Sequence, residues 1–565
     1  MPRANDEAAE ALEEYADLYA LSGGDAFRVR SYRKAAKAIR GSTHDIAVGD
    51  VRAVPGVGQA IASKVEGLLA HGTFPQLEKL RDQVPEGVRA LTRVPSLGPK
   101  TAVTLYREYG IDSPEALGEA LREGRLDRAK GLGAKTRANL LKGVDAVSAQ
   151  RGRVHIGVAM NLADAVVRSL RPGAERVSIA GSLRRMKDLI GGIDVLAVAD
   201  ESLLEMVLRQ PYATEVISAE SHKVAVRTRD GIQVDVRLVP AQAWGAALQC
   251  FTGSEDHNTE LRRLAMEQGY TLSEHGLFAG DEPLPSFDEA EIYAQLGLQF
   301  IPPTMREGRG EVAAARRGEL PMVIEVADLL GDLHSHTDLT DGVASLGEMV
   351  AAAADRGYEY FAVTDHAPDL VMQRMTLEKA KAQRDELKLM QDGYPDMVLL
   401  HGTELNIGPD GAVDWPEEVL REFDVCVASV HSHFAQDRDD MTRRFITACE
   451  NPEVNVIGHP STRKIGKRGP VDADWDEVFK AAARTGTAME IDSFPDRSDL
   501  PDDLVRSAKY HGVKFAVDSD AHAVADLDFQ RFGVGIAQRA WLTADDVVNT
   551  WPYERLCRFL SGRRR

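Results

Sequence analysis

Nine imidazole- and carboxylate-bearing residues punctuate the last 235 residues of this chain: His334, His336, Asp341, His366, Glu404, His431, His459, Asp520 and His522. The series opens in Asp332-Leu333-His334-Ser335-His336 and closes in Asp520-Ala521-His522. Such donors hold several divalent ions together, and an ion cluster activates water while neutralising phosphoryl oxygens. The chemistry indicated is hydrolysis of an ester bond. Mixed nitrogen and oxygen donors suit Mn2+ or Zn2+ better than Mg2+, which favours all-oxygen shells. Arg497, in Phe494-Pro495-Asp496-Arg497, is a candidate contact for a substrate phosphate, whereas Asp492 and His433 read as supporting residues.

Nine ligands meet only if the chain returns repeatedly to one place. Short apolar runs precede them: Tyr360 to Val363 before His366, Met397 to Leu400 before Glu404, and Val425 to Val430 before His431. Val454 to Ile457 comes before His459, and Lys514 to Val517 before Asp520 and His522. Amphipathic stretches such as Leu346 to Arg356 lie between. Alternating strand and helix predict a β/α barrel with its chemistry at the C-terminal ends of the strands.

A second constellation lies upstream. Ile179-Ala180-Gly181-Ser182-Leu183-Arg184-Arg185 reads as a strand, a glycine-serine turn and a basic helix, which together cradle a triphosphate with Ser182 and Arg185 as contacts. The strands around Asp194 and Asp235 each carry a carboxylate, as nucleotidyl transfer by two Mg2+ or Mn2+ ions about 4 Å apart requires. Nearer the start, Val54-Pro55-Gly56-Val57-Gly58, Val94-Pro95-Ser96-Leu97-Gly98 and Lys130-Gly131-Leu132-Gly133 repeat one turn. Gly56, Gly58, Gly98, Gly131 and Gly133 let these turns offer backbone N–H groups to DNA phosphates without reading bases. Lys64, just past the first turn, reads from its position as another phosphate-facing lysine.

These motifs carry a resemblance. The three turns resemble helix-hairpin-helix motifs, residues 155 to 310 resemble the palm and thumb of a family X DNA polymerase, and the ligand series resembles the polymerase and histidinol phosphatase (PHP) domain. The resemblance implies a cluster of three Mn2+ or Zn2+ ions bridged by Glu404, dNTP substrates, and a nucleotide pocket that includes Thr252, Gly253 and Asn258. It places Lys64 at the Schiff-base position of the lyase domain of DNA polymerase beta. It also implies a third aspartate two residues before Asp194, on the same strand face, where this chain has Gly192. Cys250 and Ser273 stand where the family has tyrosine and asparagine.

The expected fold is multidomain α+β and α/β. It comprises a helical lyase-like DNA-binding domain (1–85), helix-hairpin-helix fingers (86–152), a nucleotidyltransferase palm with a mixed β-sheet (153–240) and a thumb (241–310). A linker (311–329), announced by the Pro- and Gly-rich bridge Ile301 to Glu311, leads to a distorted TIM-like PHP barrel (330–565). Net charge is −20, yet residues 1–150 hold 22 lysines and arginines against 20 aspartates and glutamates, so the acidic excess lies away from the DNA grip. No apolar run approaches the roughly 18 residues of a membrane span. With no signal pattern at the start and no CxxC pair among four cysteines, a cytoplasmic monomer is expected.

The expected function is DNA repair of the base-excision kind. Gapped, 3′-ended or abasic DNA is gripped by the N-terminal half, and the barrel acts as a 3′-to-5′ exonuclease or phosphoesterase. Gly192 makes template-directed polymerisation weak, Mn2+-dependent or absent. Two alternatives stay open: a polymerase half that only scaffolds DNA, and a barrel that acts on a small-molecule phosphate ester.

Overall fold

A computed structural model describes the chain except residues 1–2, 43–45, 55, 93, 95–96, 130, 151, 229–230, 371–374 and 563–565; Pro55, Pro95, Ser96 and Lys130 of the three turns thus lie outside the described residues. The ligand-bearing segments fold as seven parallel strands in sequential order: Gly331–Asp332, Tyr360–Val363, Val398–Asn406, Val425–Ser429, Val456–Gly458, Ala488–Asp492 and Phe515–Asp518. Their side chains are buried on both faces, which is why they read as continuous apolar runs. A parallel bridge between Ser335 and Ala521 brings the ends of the first and last strands together, giving a nearly closed barrel, one strand short of the eight of a TIM barrel. Gly331 permits its opening: a Cβ there would lie 2.2 Å from the Tyr360 carbonyl oxygen. The third strand runs two residues beyond Glu404, further than the apolar run predicts, because its ladder with Val425–Ser429 continues to Asn406.

In the palm, five strands lie in the order Arg176–Ile179, Gly192–Val198, Gln233–Leu238, Lys223–Arg227, Glu215–Ala219. Only Gly192–Val198 and Gln233–Leu238 run parallel, so the sheet is mixed. Helix Ile156–Leu170 covers one face with Ala159, Ala163, Val166 and Leu170, a stripe at helical spacing. The thumb packs helices Trp244–Thr252 and Glu255–Glu267 on an antiparallel meander over 270–284. Helix Glu311–Arg317 sends Val312 and Ala315 into the thumb core beside Leu261 and Tyr293, so this part of the connection to the barrel is packed.

The described residues between Arg3 and Gln150 form helices joined by turns and have two apolar cores, one around Leu12, Ile39 and Val65, the other around Leu91, Leu105 and Leu117. Leu18 and Phe74 enter the second core and tie the two helical units together. Among the described residues no helix is long and apolar enough to cross a membrane.

A charged knot joins palm, thumb and barrel. Glu307 accepts from Arg185 Nε at 2.8 Å and Arg539 Nη1 at 2.7 Å; Arg539 also reaches Asp502 at 2.8 Å, which Arg309 shares at 2.7 Å. Burial alone would raise the Glu307 pKa, but Arg539 and Arg185 hold it down at about 2. A depressed carboxyl contributes stability above its unfolded value of about 4.3, and loses it as pH falls through the folded value. Glu307→Gln is therefore expected to destabilise the chain by roughly 3 kcal/mol at neutral pH, because it strands buried guanidinium groups. Thermal melting should show the gap between variant and wild type closing from pH 4.3 towards pH 2.

Candidate metal centre and polymerase site

At the C-terminal end of the barrel the ligands converge. His336, Asp341, His366 and His522 bring one donor each within 4.8 Å of one another, as do His334, His336 and Asp520, and also His366, Glu404 and His431. His336 and His366 are shared, so the three groups form one cluster. Glu404 faces both ways: Oε1 is 3.0 Å from Nε2 of both His431 and His459, and Oε2 is 2.8 Å from His366 Nδ1. A carboxylate so placed can bridge ions. The Nε2 atoms of His334 and His336 lie 3.2 Å apart, a separation that needs a proton or a cation between them. His336 Nδ1 and Asp341 Oδ1 are buried without a hydrogen bond, the orphaned donors that coordination satisfies. The donor set fits a cluster of several divalent ions.

Electrostatics support this. Burial, with His522 and His366 beside it, pushes His336 down to about 3, which leaves a neutral ring ready to coordinate. Burial also lowers His366, but Glu404 and Asp341 outweigh it and carry this imidazole to about 10. An ion replacing that proton inherits the same carboxylates.

The ligands are themselves held. Buried Glu490 places Oε1 2.6 Å from His334 Nδ1, and its other oxygen accepts the His459 backbone N–H. Asn406 Oδ1 fixes His431 Nδ1 at 2.7 Å, and Asp414 fixes Asn406 at 2.8 Å. Such partners set ring orientation and ligand basicity. Sequence reasoning missed Glu490; its signal was a carboxylate two residues before Asp492, on the same strand face. Asp492 lies 3.3 Å from Arg497 Nε, which is also 3.5 Å from Asp520, so Arg497 stands at the cluster. His433 is exposed and turned to Ser432 at 2.9 Å, outside the cluster. At the mouth, Lys37 of helix Ala26–Arg40 donates to the Asp341 carbonyl at 3.0 Å and lies 3.5 Å from its carboxylate.

In the palm, Asp194 and Asp235 are paired neighbours on the two parallel strands. Burial and the nearby Asp235 raise the Asp194 pKa. Gly181, at φ +64, has its Cβ position 2.4 Å from Asp194 Oδ2, so the glycine turn packs directly on this carboxylate. Asp235 is engaged by Lys223 at 2.6 Å and Gln233 at 2.7 Å. Ser182 lies in the turn, whereas Arg185 is occupied by Glu307 and the Thr252 carbonyl. Asn258 donates to the Cys250 carbonyl at 2.7 Å and accepts from Gln249, tying the thumb helices around Thr252 and Gly253. Neither Asp188 nor Asp200 replaces the side chain missing at Gly192: Asp188 pairs with Arg463 of the barrel at 2.9 Å, and Asp200 accepts the Ser202 N–H at the start of the next helix.

The three glycine turns share a local design. Val57, Leu97 and Leu132 are buried, and their N–H groups bond three residues back, to Val54, Val94 and Ala129. Gly56, Gly58, Gly98, Gly131 and Gly133 are exposed, with nothing within 4 Å of a Cβ position, so a phosphate can approach the backbone. Lys64 donates to the Ala60 carbonyl at 3.1 Å and lies over the rings of Tyr15 and Tyr32 at 5.8 and 5.4 Å.

Fold and sites define a polymerase-type palm joined to a metal-cluster phosphoesterase barrel and a helical DNA grip. The helix-hairpin-helix domain family matches residues 3–74, the SAM-like helix-hairpin-helix tandem 88–146, the DNA polymerase beta thumb 247–307 and the PHP domain 332–493. The chain is 33% identical over 562 residues to the DNA polymerase/3′-5′ exonuclease PolX of Bacillus subtilis, covering 97% of this chain and 98% of that protein. It therefore belongs to the family X DNA polymerases that carry a PHP domain. The chain is also 30% identical over 235 residues to a probable phosphatase of Thermoanaerobacter, covering 39% of this chain and 91% of that protein. DNA polymerase lambda of Rattus norvegicus is 26% identical over 333 residues, 53% of this chain and 55% of that protein.

Proposed function

We propose that this chain is a DNA repair enzyme whose principal activity is metal-dependent 3′-to-5′ hydrolysis of DNA ends in the barrel, with weak or Mn2+-dependent polymerisation in the palm. The observation that carries this reading is the convergence of all nine ligands beside Lys37, a residue of the helical DNA-binding part. His334, His336, Asp341, His366, Glu404, His431, His459, Asp520 and His522 would hold three Mn2+ or Zn2+ ions, which when bound activate water and neutralise phosphate charge. Glu490 and Asn406 orient the imidazoles, and Arg497 offers a guanidinium to a phosphate of the substrate. The glycine turns grip the duplex backbone of gapped or 3′-ended DNA, and Lys64 is available to an abasic sugar. In the palm, Gly181, Ser182, Thr252, Gly253 and Asn258 shape the dNTP site; Arg185 joins them only by releasing Glu307. Asp194 and Asp235 would hold Mg2+ or Mn2+. A monomeric cytoplasmic protein acting in base excision repair suits this assignment.

Primed, gapped DNA incubated with Mn2+ and dNTPs tests the reading. Wild type should shorten the 3′ end and extend it weakly, His334→Ala should lose shortening only, and Asp194→Ala extension only. Shortening that survives in His334→Ala refutes the nuclease assignment. Extension by none of the proteins makes the palm a scaffold, and equal turnover of a sugar phosphate and a DNA end makes the barrel a small-molecule phosphatase.

A further inference from the structure

Beside the metal cluster stands a cationic hairpin that the ligand set does not use. Lys464 and Arg468 exchange two backbone hydrogen bonds of 2.8 Å around Gly466, at φ +76, and Ile465 N–H donates to the Asp496 carbonyl at 2.7 Å. Arg463 locks the hairpin to the Arg497 loop through a 2.8 Å bond to the Arg497 carbonyl. The hairpin and the Arg497 loop are thereby joined at the cluster's edge, and the Arg497 charge is the strongest influence on Lys464. Arg497 meets Asp492 and Asp520 through Nε, while its Nη atoms donate to no described residue. Among the described residues no carboxylate forms an ion pair with Lys464, although the charge of Asp496, which pairs with Lys467 at 4.0 Å, acts on it.

We propose that Lys464 and Arg497 form a phosphodiester subsite, which takes the nucleic-acid phosphate next to the one being cleaved. The inference rests on the hydrolytic reading of the barrel and names the substrate feature it selects: a second phosphate, hence an oligonucleotide rather than a monoester. Two neighbouring cations repel each other, and an anion between them relieves that cost while accepting the free Nη and Nζ donors. The charge of Arg497, with burial, lowers the Lys464 pKa to about 8, although Asp496 and Asp520 act in the opposite direction. Asp188, paired with Arg463 at 2.9 Å, ties the hairpin to the palm.

The test compares kcat/KM of the full chain on two probes with Mn2+: a 3′-labelled single-stranded oligonucleotide, and bis(p-nitrophenyl) phosphate, which has one phosphate. Lys464→Ala should lower the oligonucleotide-to-single-phosphate ratio about tenfold, mainly through KM, and reduce the salt dependence of oligonucleotide turnover by about one released ion. Lys464→Arg should recover most of the ratio. A ratio unmoved by alanine, or lowered equally by alanine and arginine, overturns the subsite. A wild type that hydrolyses bis(p-nitrophenyl) phosphate but not the oligonucleotide overturns the nuclease reading and the subsite together. Oligonucleotide cleavage with an unmoved ratio overturns the subsite alone.

Discussion

Glu404→Gln is expected to lower hydrolysis of a 3′-ended DNA by at least about a thousandfold and to reduce the ion content of the purified protein. Glu404 is 1% exposed, and its two oxygens serve His431, His459 and His366, with His334 and His336 within 3.6 Å of Oε2. Glutamine preserves volume but removes the negative charge and turns one acceptor into a donor aimed at imidazoles that must be free to coordinate. Loss of an outer partner of a ligand costs about 10- to 100-fold, so loss of a bridging ligand should cost more. Turnover and bound metal should be measured on the same preparation. Wild-type turnover in the variant would remove Glu404 from the centre; lost turnover with full ion content would make it a positioning residue.

The ligand series was legible because each member follows an apolar run that can only be a buried strand, and the barrel topology brings all strand ends to one mouth. Asp194 and Asp235 were legible for a related reason: each sits in a short β-branched run, and parallel pairing aligned them. Glu490 was not, since a carboxylate inside Ala488–Asp492 looks the same whether it buttresses His334 or stabilises a fold. Contacts between distant segments carry no local pattern at all. Lys37 and Asp341 are 304 residues apart, and the Glu307–Arg539 pair 232; Lys37, Glu307 and Arg539 each read alone as one more surface charge. Periodicity reports which face is buried, not which distant element covers it.

Gly192→Asp is expected to raise primer extension by at least about a hundredfold, because the fold around position 192 has kept the geometry for the missing carboxylate. The residue lies in the extended strand Gly192–Val198, on the face of Asp194 and opposite Gln233. A Cβ there meets only the Gln233 carbonyl oxygen, at 3.5 Å, an ordinary contact. The obstacle is electrostatic. Asp194 already has a raised pKa from burial and Asp235, and a third carboxylate adds like charge that only divalent ions relieve. The variant should melt below wild type in chelator, by a deficit of roughly 1–2 kcal/mol, and recover with Mn2+ as ions displace Lys223 from Asp235. Two-metal transfer needs ions fixed to both hydroxyl and triphosphate, and the third carboxylate supplies the ligand that two cannot. Gly192→Asn adds the same bulk without the charge. If extension by the aspartate variant does not exceed that by the asparagine variant, the limit on polymerisation lies elsewhere, and Arg185, held by Glu307, becomes the residue to release.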